Sequence, residues 1–524
     1  MKHASEAVVA PRVGATHFSR ALEQNAIASA SVPALIFGEQ VWDHARLGSE
    51  VWRLARGLAA RGIQPGDRIA MQLGNSAAGV VTVAAAMCLG AIVAPINTSY
   101  TANETRRTVE RLQPSLFLFH IENYALTARA LDGLLPPAQW FSVGEHDAPC
   151  EVDDWTVLQS EDDTPFVADT LTDDMPLVIM ATSGTTAEPK LVVHTQRTLG
   201  AMVTPRSSAP DDWIELVPTP IFCMTSVLAI VQCIHLGRTI ALPECAAFDA
   251  NVFLDAIERH RCTRLGCSPY GLAELTRAQR ARKRDVSSLR TCTVSGDACA
   301  PVLIDNFQQV FGWKPQPVFG TTETSMCVGP GSQFGTYRAD PARARLVDSE
   351  GGSVVPGAIG ELQVRGDNIF KGYWVSPGVI HDPKVDGWYR TGDLMRLEKD
   401  GDLRYVARTK NIIVRAGRNI APAEIERVLL SDAHVREAAV FGLPDVEFGE
   451  RVAALVVRNG AGESCTEAAL RAQLEAQLAG YKIPEHLFFV ESIPRNVWGK
   501  IDRKSLAAVA AQLMQASAST GHTS

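Results

Sequence analysis

The sequence alternates short apolar runs with longer segments of helical periodicity, and this alternation constrains the fold more than any other feature. Residues 42–61 carry apolar side chains at helical spacing, residues 62–67 form a turn rich in glycine, and residues 68–73 are typical of a buried strand. Strands that alternate with helices in this way form parallel sheets covered by helices. The pattern therefore predicts the α/β fold class, built from layered α/β subdomains.

The same alternation continues along the chain and then changes character. From Gly360 to Leu394, period-two alternation and closely spaced turns predict a small β-rich lobe. A compact α/β unit is expected after Lys410, and the Ala/Ser/Gln-rich tail after Ala507 is expected to fray. The predicted strands cover 91–95, 116–119, 177–180, 237–242, 292–295, 437–441 and 451–457, and the predicted helices cover 251–261, 301–311, 422–430 and 467–478.

Length, charge and cysteine content limit the class of protein. A chain of 524 residues is too long for one hydrophobic core, which predicts two or more domains. The net charge of −8 and the lack of a Lys/Arg block argue against nucleic-acid binding. The 11 cysteines include no C-x-x-C pair, and several lie in apolar runs. They indicate reduced core residues in a cytosolic protein and argue against a disulfide framework or a zinc site.

One uncharged run, residues 79–96, approaches the length of a membrane span. A globular interpretation competes with that one, because Asn75 and Ser76 can cap a helix that Gly90 ends, and a short buried strand can follow. We favour the globular interpretation. Residues 1–15 also lack the apolar segment of a signal peptide. We therefore expect a cytoplasmic protein without a membrane span.

A polar loop at residues 182–190 directly follows the apolar run 177–181. Its residues are Thr182, Ser183, Gly184, Thr185, Thr186, Ala187, Glu188, Pro189 and Lys190. Backbone N–H groups, hydroxyls and an ammonium can bind a polyphosphate, although the loop lacks the Walker A pattern. Considered alone, the loop fits phosphate binding and an ordinary polar turn about equally well.

Four further motifs follow the loop in a fixed order. They are Phe319-Gly320-Thr321-Thr322-Glu323, Tyr389-Arg390-Thr391-Gly392-Asp393, Arg408-Thr409-Lys410 with Gly417-Arg418-Asn419-Ile420, and Pro494-Arg495-Asn496-Val497-Trp498-Gly499-Lys500. With the loop, this set resembles the adenylate-forming superfamily: acyl-CoA synthetases, peptide-synthetase adenylation domains and firefly-type luciferases. It is most similar to the acyl- or aryl-CoA ligases, and the resemblance extends from residue 65 to Lys500. It implies that ATP activates a carboxylic acid to an acyl-adenylate, which then passes to a thiol.

The resemblance also implies which residues bind ATP. The loop would hold the β- and γ-phosphates, Phe319 would stack on adenine, and Asp393 would accept hydrogen bonds from the ribose hydroxyls. The other ATP-binding residues implied are Thr182, Ser183, Gly184, Thr185, Thr186, Lys190, Ser295, Gly296, Gly320 and Arg408. Taken singly, these residues also fit structural roles, such as a turn, a helix cap or a core position.

Four residues match the family's catalytic positions. Two anions meet when a carboxylate attacks the α-phosphate, so the site needs positive charge and hydrogen-bond donors. Thr322 would donate to the α-phosphate, and Glu323 would ligate Mg²⁺. Arg408 would lie near the ribose and phosphates. Lys500 would bridge the substrate carboxylate and the α-phosphate as a compact point charge.

The resemblance divides the chain at Lys410. Residues 1–409 would form a large N-terminal domain that holds ATP and the acyl pocket, including the β-rich lobe. Residues 410–524 would form a small mobile α+β domain that carries Lys500. Rotation about the hinge at Lys410 would withdraw Lys500 after adenylation and bring the loop at Gly417 to the site for the thiol step.

The acyl pocket and several departures from the family pattern concern specificity and rate. The expected pocket residues are Phe222, Cys223, Ser268, Gly296, Gly320 and Thr324. Cys223 stands where the family commonly has His, or Asp in amino-acid-activating members. A neutral thiol cannot pair with an ammonium, which argues for an acid without an α-amine; an offset core cysteine is the alternative. The neutral lining fits an aryl or medium aliphatic acid.

The phosphate loop and the hinge also depart from the family pattern. Ala187 and Leu191 replace loop glycines, and Asn411 replaces an Asp at the hinge. If residue 187 needs a positive φ, alanine there costs about 1 kcal/mol.

Three functions remain open on the sequence. The first is an ATP- and Mg²⁺-dependent ligase that uses CoA as co-substrate. The second is an acyl-AMP ligase that loads the phosphopantetheine of an acyl carrier protein. No fused carrier domain follows Lys500, which favours CoA. The third is a nucleotide-binding regulator, which the retention of Glu323, Asp393, Arg408 and Lys500 disfavours. The oligomeric state, monomer or homodimer, stays open.

Overall fold

A computed structural model describes residues 17–144, 152–182, 189–203, 212–245, 248–296, 299–333, 335–459, 465–496 and 499–520. Within these ranges the chain forms thirteen α-helices and 28 strands in four sheets. The helices are α1 His17–Ala28, α2 His44–Ala60, α3 Ala77–Leu89, α4 Ala102–Leu112, α5 Tyr124–Leu131, α6 Gln196–Met202, α7 Met224–Leu236, α8 Ala250–His260, α9 Pro269–Ala281, α10 Pro301–Phe311, α11 Pro422–Leu430, α12 Glu467–Gln477 and α13 Arg503–Thr520.

The strands alternate with helices in the first half and crowd together after residue 315. They are β1 Pro33–Phe37, β2 Gln40–Asp43, β3 Arg68–Gln72, β4 Ile92–Pro95, β5 Leu116–His120, β6 Trp140–Val143, β7 Asp153–Asp154, β8 Pro176–Thr182, β9 Lys190–Thr195, β10 Ile214–Leu216, β11 Thr239–Leu242, β12 Arg264–Cys267, β13 Thr291–Val294, β14 Gln316–Pro317, β15 Phe319–Thr321, β16 Ser325–Pro330, β17 Thr336–Arg338, β18 Ala344–Val347, β19 Ile359–Val364, β20 Gly372–Ser376, β21 Val379–His381, β22 Tyr389–Leu397, β23 Leu403–Arg408, β24 Ile413–Arg415, β25 Arg418–Ile420, β26 Val435–Asp445, β27 Gly449–Arg458 and β28 His486–Phe489.

Two sheets have the parallel cores that the α/β alternation predicts. A nine-stranded sheet has the order β21-β20-β9-β8-β4-β3-β5-β6-β7, and a seven-stranded sheet has the order β14-β13-β12-β10-β11-β1-β2. In each of these two sheets, one strand comes from a distant part of the sequence. The early strand β1 pairs in parallel with β11 of the seven-stranded sheet, and the late strand β20 pairs antiparallel with β9 of the nine-stranded sheet. The pairing of β20 with β9 brings Tyr373 close to Lys190, at the end of the loop 182–190.

The predicted β-rich lobe is confirmed as an antiparallel seven-stranded sheet, β15-β16-β17-β23-β22-β19-β18. A fourth sheet contains β25, β24, β27, β26 and β28, and it lies in the compact unit expected after Lys410. Two apolar clusters within this unit draw all of their described members from residue 413 onward. The unit therefore has a core of its own, as independent folding requires.

The uncharged run at 79–96 is a buried helix followed by a strand, as the globular interpretation predicted. Ser76 caps α3 by accepting a hydrogen bond from the Gly79 N–H, and Gly90 ends the helix at a φ of 79°. The left-handed conformation at Gly90 suits a residue without a Cβ. Among the described helices, none combines the length and apolarity needed to cross a bilayer.

The prediction that the tail frays after Ala507 is wrong for the residues through Thr520. They belong to α13, and Leu506 and Ala510 are fully buried against Phe441 and Ile493. Alanine-rich sequence favours a helix once one face has an apolar partner. The tail composition showed the propensity, but one apolar partner, Phe441 of β26, lies far away in the sequence.

Candidate active site

The ends of the polar loop lie at a hairpin in the nine-stranded sheet. Thr182 ends β8 and Lys190 begins β9, and the Thr182 hydroxyl donates to the Lys190 carbonyl at 3.4 Å. Arg111 holds the far end, because its Nη1 donates to the carbonyl oxygen of Pro189 at 2.6 Å. Ser183, Gly184, Thr185 and Thr186, which are expected to bind ATP, lie outside the described residues, as does Ala187.

Glu323 is bound by Tyr373, which also contacts Tyr389 and Lys190. The Tyr373 hydroxyl donates to Glu323 Oε1 at 3.1 Å and lies 2.9 Å from the Tyr389 hydroxyl. The Lys190 ammonium lies 3.5 Å from the Tyr373 hydroxyl and 4.7 Å from its ring centroid. Burial, and then the charge of Glu323, raise the pKa of Tyr373 well above its ordinary value, so this hydroxyl keeps its proton. Tyr373 thus connects the loop lysine to the expected metal ligand.

His194, on β9 of the nine-stranded sheet, contacts Thr322, the residue before Glu323. Its Nε2 lies 2.8 Å from the Thr322 carbonyl oxygen, and its Nδ1 lies 3.1 Å from the Thr198 hydroxyl. Because a carbonyl only accepts, Nε2 carries the proton in the neutral ring. Burial lowers the pKa of His194 to about 4, which keeps the imidazole neutral at physiological pH.

Asp393 and Arg408 form an ion pair between adjacent strands of the β-rich lobe. They are opposite each other in the β22–β23 register, and Arg408 Nε donates to Asp393 Oδ1 at 2.8 Å. The side chain of Asp393 is 1% exposed, and its Oδ2 has no hydrogen-bond partner among the described residues. Burial raises the pKa of Asp393 to about 6, against the opposing effect of Arg408. A buried acceptor without a partner suits a ligand that brings donors, such as a pair of ribose hydroxyls.

Phe319 belongs to an aromatic group beside this ion pair. Its ring centroid lies 5.7 Å from that of Tyr337 and 6.0 Å from that of Tyr405. Phe319 is half-buried and Gly320, the next residue, has no side chain that could cover a flat ligand. The group can therefore stack on a base.

Lys500 reaches the N-terminal part at Gly296. A Cβ on Gly296 would lie 2.7 Å from Lys500 Cε and 3.1 Å from Nζ, so the lysine side chain occupies the space beside this glycine. Gly296 has a φ of 95°, and it follows Ser295 directly after β13. The charge of Lys500 also acts on Cys223, since it opposes the larger effect of burial, which raises the pKa of that thiol. The thiol therefore stays protonated and neutral.

The expected acyl-pocket residues follow the carboxyl ends of three adjacent parallel strands. Cys223 follows β10 after a short loop, Ser268 follows β12, and Gly296 follows β13. In open α/β sheets this edge is where ligands bind. Phe222 is buried beside Cys223, and Thr324 is fully buried in the turn after β15, where its hydroxyl accepts from the Thr321 N–H at 3.2 Å.

Lys410 and Gly417 lie in turns that follow β23 and β24. Lys410 is exposed in a short 3₁₀ turn between β23 and β24. Partial desolvation of its ammonium, and then the charges of Arg408 and Lys504, lower its pKa. Gly417, with a φ of 75°, forms the exposed turn between β24 and β25, and a Cβ there would meet no described atom within 4 Å.

The site fits Mg²⁺ only in the way that nucleotide enzymes hold it. The described residues contain no group of three His, Cys, Asp or Glu side chains that could form a metal cage. Mg²⁺ in nucleotide sites commonly takes one or two carboxylates together with phosphate oxygens. The oriented carboxylate of Glu323 fits that requirement.

Sequence reasoning missed Tyr373, His194, Tyr337 and Tyr405. His194 lies inside an apolar strand pattern, and the tyrosines lie on strands remote in sequence from the residues they contact. No local signal separates these residues from ordinary core or strand positions.

Comparison with known proteins gives consistent results over most of the chain. A family model described as AMP-binding enzyme matches residues 22–374, and one described as AMP-binding enzyme C-terminal domain matches residues 424–500. Sulfoacetate–CoA ligase of Cupriavidus necator is 30% identical, with 90% of this chain and 92% of that protein covered. Feruloyl-CoA synthase of an Amycolatopsis species is 32% identical, with coverage of 89% and 94%.

A solved structure has the same fold. ATP-bound MatB from Rhodopseudomonas palustris superimposes with a TM-score of 0.83 at 25% identity, over 95% of this chain and 99% of that one. The resemblance inferred from the five motifs is thereby confirmed. The chain belongs to the AMP-binding enzyme family of adenylate-forming enzymes.

Proposed function

We propose that this enzyme is an acid–thiol ligase that makes an acyl-CoA from a carboxylic acid, ATP and CoA. The observation that carries the proposal is the contact of Lys500, from the C-terminal unit, with Gly296. Gly296 lies at the carboxyl edge of the mainly parallel seven-stranded sheet. A lysine in that place can attract the substrate carboxylate and the α-phosphate together. The two named sequence relatives described above, a sulfoacetate and a feruloyl ligase, also form CoA thioesters.

ATP would lie across the β-rich lobe and the polar loop. Phe319 stacks on the base, and the unpartnered Oδ2 of Asp393 accepts from a ribose hydroxyl while Arg408 fixes Oδ1. Lys190 and the loop residues before it bind the outer phosphates. Mg²⁺, held at Glu323, would neutralise phosphate charge. Tyr373 orients the Glu323 carboxylate for that purpose.

The first half-reaction forms the acyl-adenylate. A carboxylate oxygen of the acid attacks the α-phosphorus, and the bond to the β-phosphate oxygen breaks, so that pyrophosphate leaves. Thr322 and Lys500 stabilise the charge that develops on the α-phosphate. In the second half-reaction the thiol of CoA loses its proton and attacks the acyl carbon, and AMP leaves.

The two half-reactions would use two arrangements of the chain. We propose a boundary between residues 1–409 and 410–524, with Lys410 as the hinge. The separate apolar clusters after residue 412 and the exposed turn at Lys410 support this boundary. Rotation would remove Lys500 from Gly296 and bring the exposed turn at Gly417 to the site for the thiol step.

The pocket favours a neutral acyl group. Cys223 is a neutral thiol, and the segment around it carries neutral hydroxyls: the Thr219 hydroxyl lies 3.0 Å from that of Thr225 and 2.7 Å from that of Ser226. Phe222 and Thr324 are buried and neutral, so neither adds a charge to this region. We propose an aryl or medium aliphatic acid with one carboxylate and no α-amine.

The test is acid-dependent pyrophosphate release over a panel of aryl, aliphatic, amino and dicarboxylic acids, with and without CoA. We expect release with neutral monocarboxylic acids, and acyl-CoA only when CoA is present. Acyl transfer to a holo acyl carrier protein but not to CoA would favour the carrier-protein ligase. The Lys500→Ala variant should lose pyrophosphate release but keep thioester formation from supplied acyl-adenylate; equal loss of both would contradict its role. No release with any acid would overturn the proposed function.

A further inference from the structure

The turn that carries Lys500 contacts one aromatic side chain of the N-terminal part. Tyr270 lies in the first turn of α9, and Ser268 caps this helix by accepting from the Gly271 N–H. A Cβ on Gly499 would lie 2.3 Å from Tyr270 Cδ1, and Gly499 also has a φ of 70°. A side chain at residue 499 would therefore push the turn away from the ring.

Arg495 covers the same ring and fixes the turn internally. Its guanidinium carbon lies 4.7 Å from the Tyr270 ring centroid. Its Nη1 donates to the Gly499 carbonyl oxygen at 2.6 Å, and its Nη2 donates to Glu437 Oε2 at 2.6 Å. The guanidinium thus joins the ring, the turn and β26 in one arrangement. Lys500, the residue directly after Gly499, is oriented by the same contacts.

Aromatic residues of the N-terminal part hold Tyr270 in turn. The Phe248 ring lies 6.3 Å from the Tyr270 ring in an edge-to-face arrangement and stacks on Phe253 at 5.0 Å. Because Phe253 is fully buried, this contact ties Tyr270 to the core of the seven-stranded sheet. The ring therefore offers a fixed surface on which a mobile unit can dock.

We propose that Tyr270 and Arg495 are positioning residues that dock the Lys500 turn for adenylation and separate when the C-terminal unit rotates for the thiol step. This inference rests on the proposed function. A guanidinium over a partly desolvated aromatic face is stabilising. In the proposed rotation this contact would break as Lys500 leaves Gly296. Its loss should therefore slow the half-reaction that needs Lys500 and leave the other unaffected.

The experiment measures both half-reactions separately in the full-length enzyme. Tyr270→Ala should slow acid-dependent pyrophosphate release by about tenfold or more, while thioester formation from supplied acyl-adenylate stays within about twofold of the wild-type rate. Tyr270→Phe keeps the ring and should restore adenylation to within about twofold. Arg495→Met should have the same effect as Tyr270→Ala. In both variants the turnover number for adenylation should change more than the KM for ATP.

Arg458→Met provides the matched control. Arg458 covers the Phe489 ring at 3.6 Å, but both residues lie in the C-terminal unit, so neither half-reaction should change selectively. Equal loss of both half-reactions in Tyr270→Ala, or no loss of either, would overturn the inference while wild-type pyrophosphate release still upheld the proposed function. A Tyr270→Phe variant as slow as Tyr270→Ala would also overturn it, because the hydroxyl and not the ring would then matter.

Discussion

Arg408 binds one oxygen of Asp393 and leaves the other buried without a partner among the described residues. A carboxylate oxygen in that position is costly to leave unsatisfied, because burial removes its water. Ribose hydroxyls would supply the missing donors. We therefore propose that the ion pair is a fixed half-site that a bound nucleotide would complete.

The first prediction concerns the pH dependence of nucleotide binding at Asp393. Burial raises the pKa of this carboxyl to about 6, and its ionised form is the better acceptor for ribose hydroxyls. A ligand whose hydroxyls donate to the ionised carboxylate must bind more weakly when Asp393 is protonated. The Kd for ATP, measured by calorimetry, should therefore rise as the pH falls through about 6.

Asp393→Asn is the companion variant for that measurement. It removes the titrating group and leaves Arg408 without its carboxylate, so ATP should bind about tenfold more weakly at neutral pH. The rise in Kd below neutral pH should also be smaller than in the wild type. An unchanged Kd in this variant would contradict the role of Asp393.

The second prediction concerns His194 and acid stability. Its pKa is about 4 in the folded chain and about 6.5 in an unfolded one, so the unfolded state binds the proton more readily. The contribution of the neutral ring is present above about pH 6.5 and is lost progressively toward pH 4. We expect a loss of about 2 kcal/mol in unfolding free energy from pH 8 to pH 5 that is attributable to this residue.

Urea denaturation of the wild type and of His194→Gln at both pH values measures that contribution. The variant keeps a donor for the Thr322 carbonyl oxygen but cannot titrate, so its stability should fall less between the two pH values. Equal pH dependence of the two proteins would show that the proton binds elsewhere.

The motifs can be recognised in the sequence because each is local, but the residues that contact them in the structure cannot. Tyr373 contacts Glu323 because β20, from the later part of the chain, pairs with β9 of the nine-stranded sheet. No local sequence pattern encodes this long-range strand pairing. His194 resembles any other residue of an apolar strand until its Nε2 is seen beside Thr322. The α/β alternation predicted parallel sheets because periodicity shows which face of an element is apolar. It does not show what covers that face, so the helix α13 was not predicted.

The third prediction concerns the Tyr373 hydroxyl, which donates to Glu323 Oε1. Tyr373→Phe keeps the ring under Lys190 and removes the hydroxyl, with its contacts to Tyr389 and Lys190. Glu323 thereby loses a hydrogen bond to a charged acceptor, which is worth about a factor of ten. The concentration of Mg²⁺ needed for half-maximal pyrophosphate release should rise by about that factor. Tyr389→Phe, which removes a bond one step further from the carboxylate, should have a smaller effect. Equal Mg²⁺ requirements in wild type and Tyr373→Phe would contradict this role.

The fourth prediction concerns the turn at Lys410. The Ile412 N–H donates to the Thr409 carbonyl oxygen, so Lys410 is the second residue of a four-residue turn, a position that accepts proline. Lys410→Pro should therefore fold in the described arrangement, with Lys500 at Gly296, but it fixes φ at the proposed hinge. Pyrophosphate release should stay within about threefold of wild type, while acyl-CoA formation from supplied acyl-adenylate falls by at least tenfold, roughly the cost of a blocked rotation. Lys410→Ala removes the charge but leaves the backbone free, and both half-reactions should continue near the wild-type rates. Intact thioester formation in Lys410→Pro would place the hinge elsewhere, and equal losses in the proline and alanine variants would assign the effect to the ammonium group.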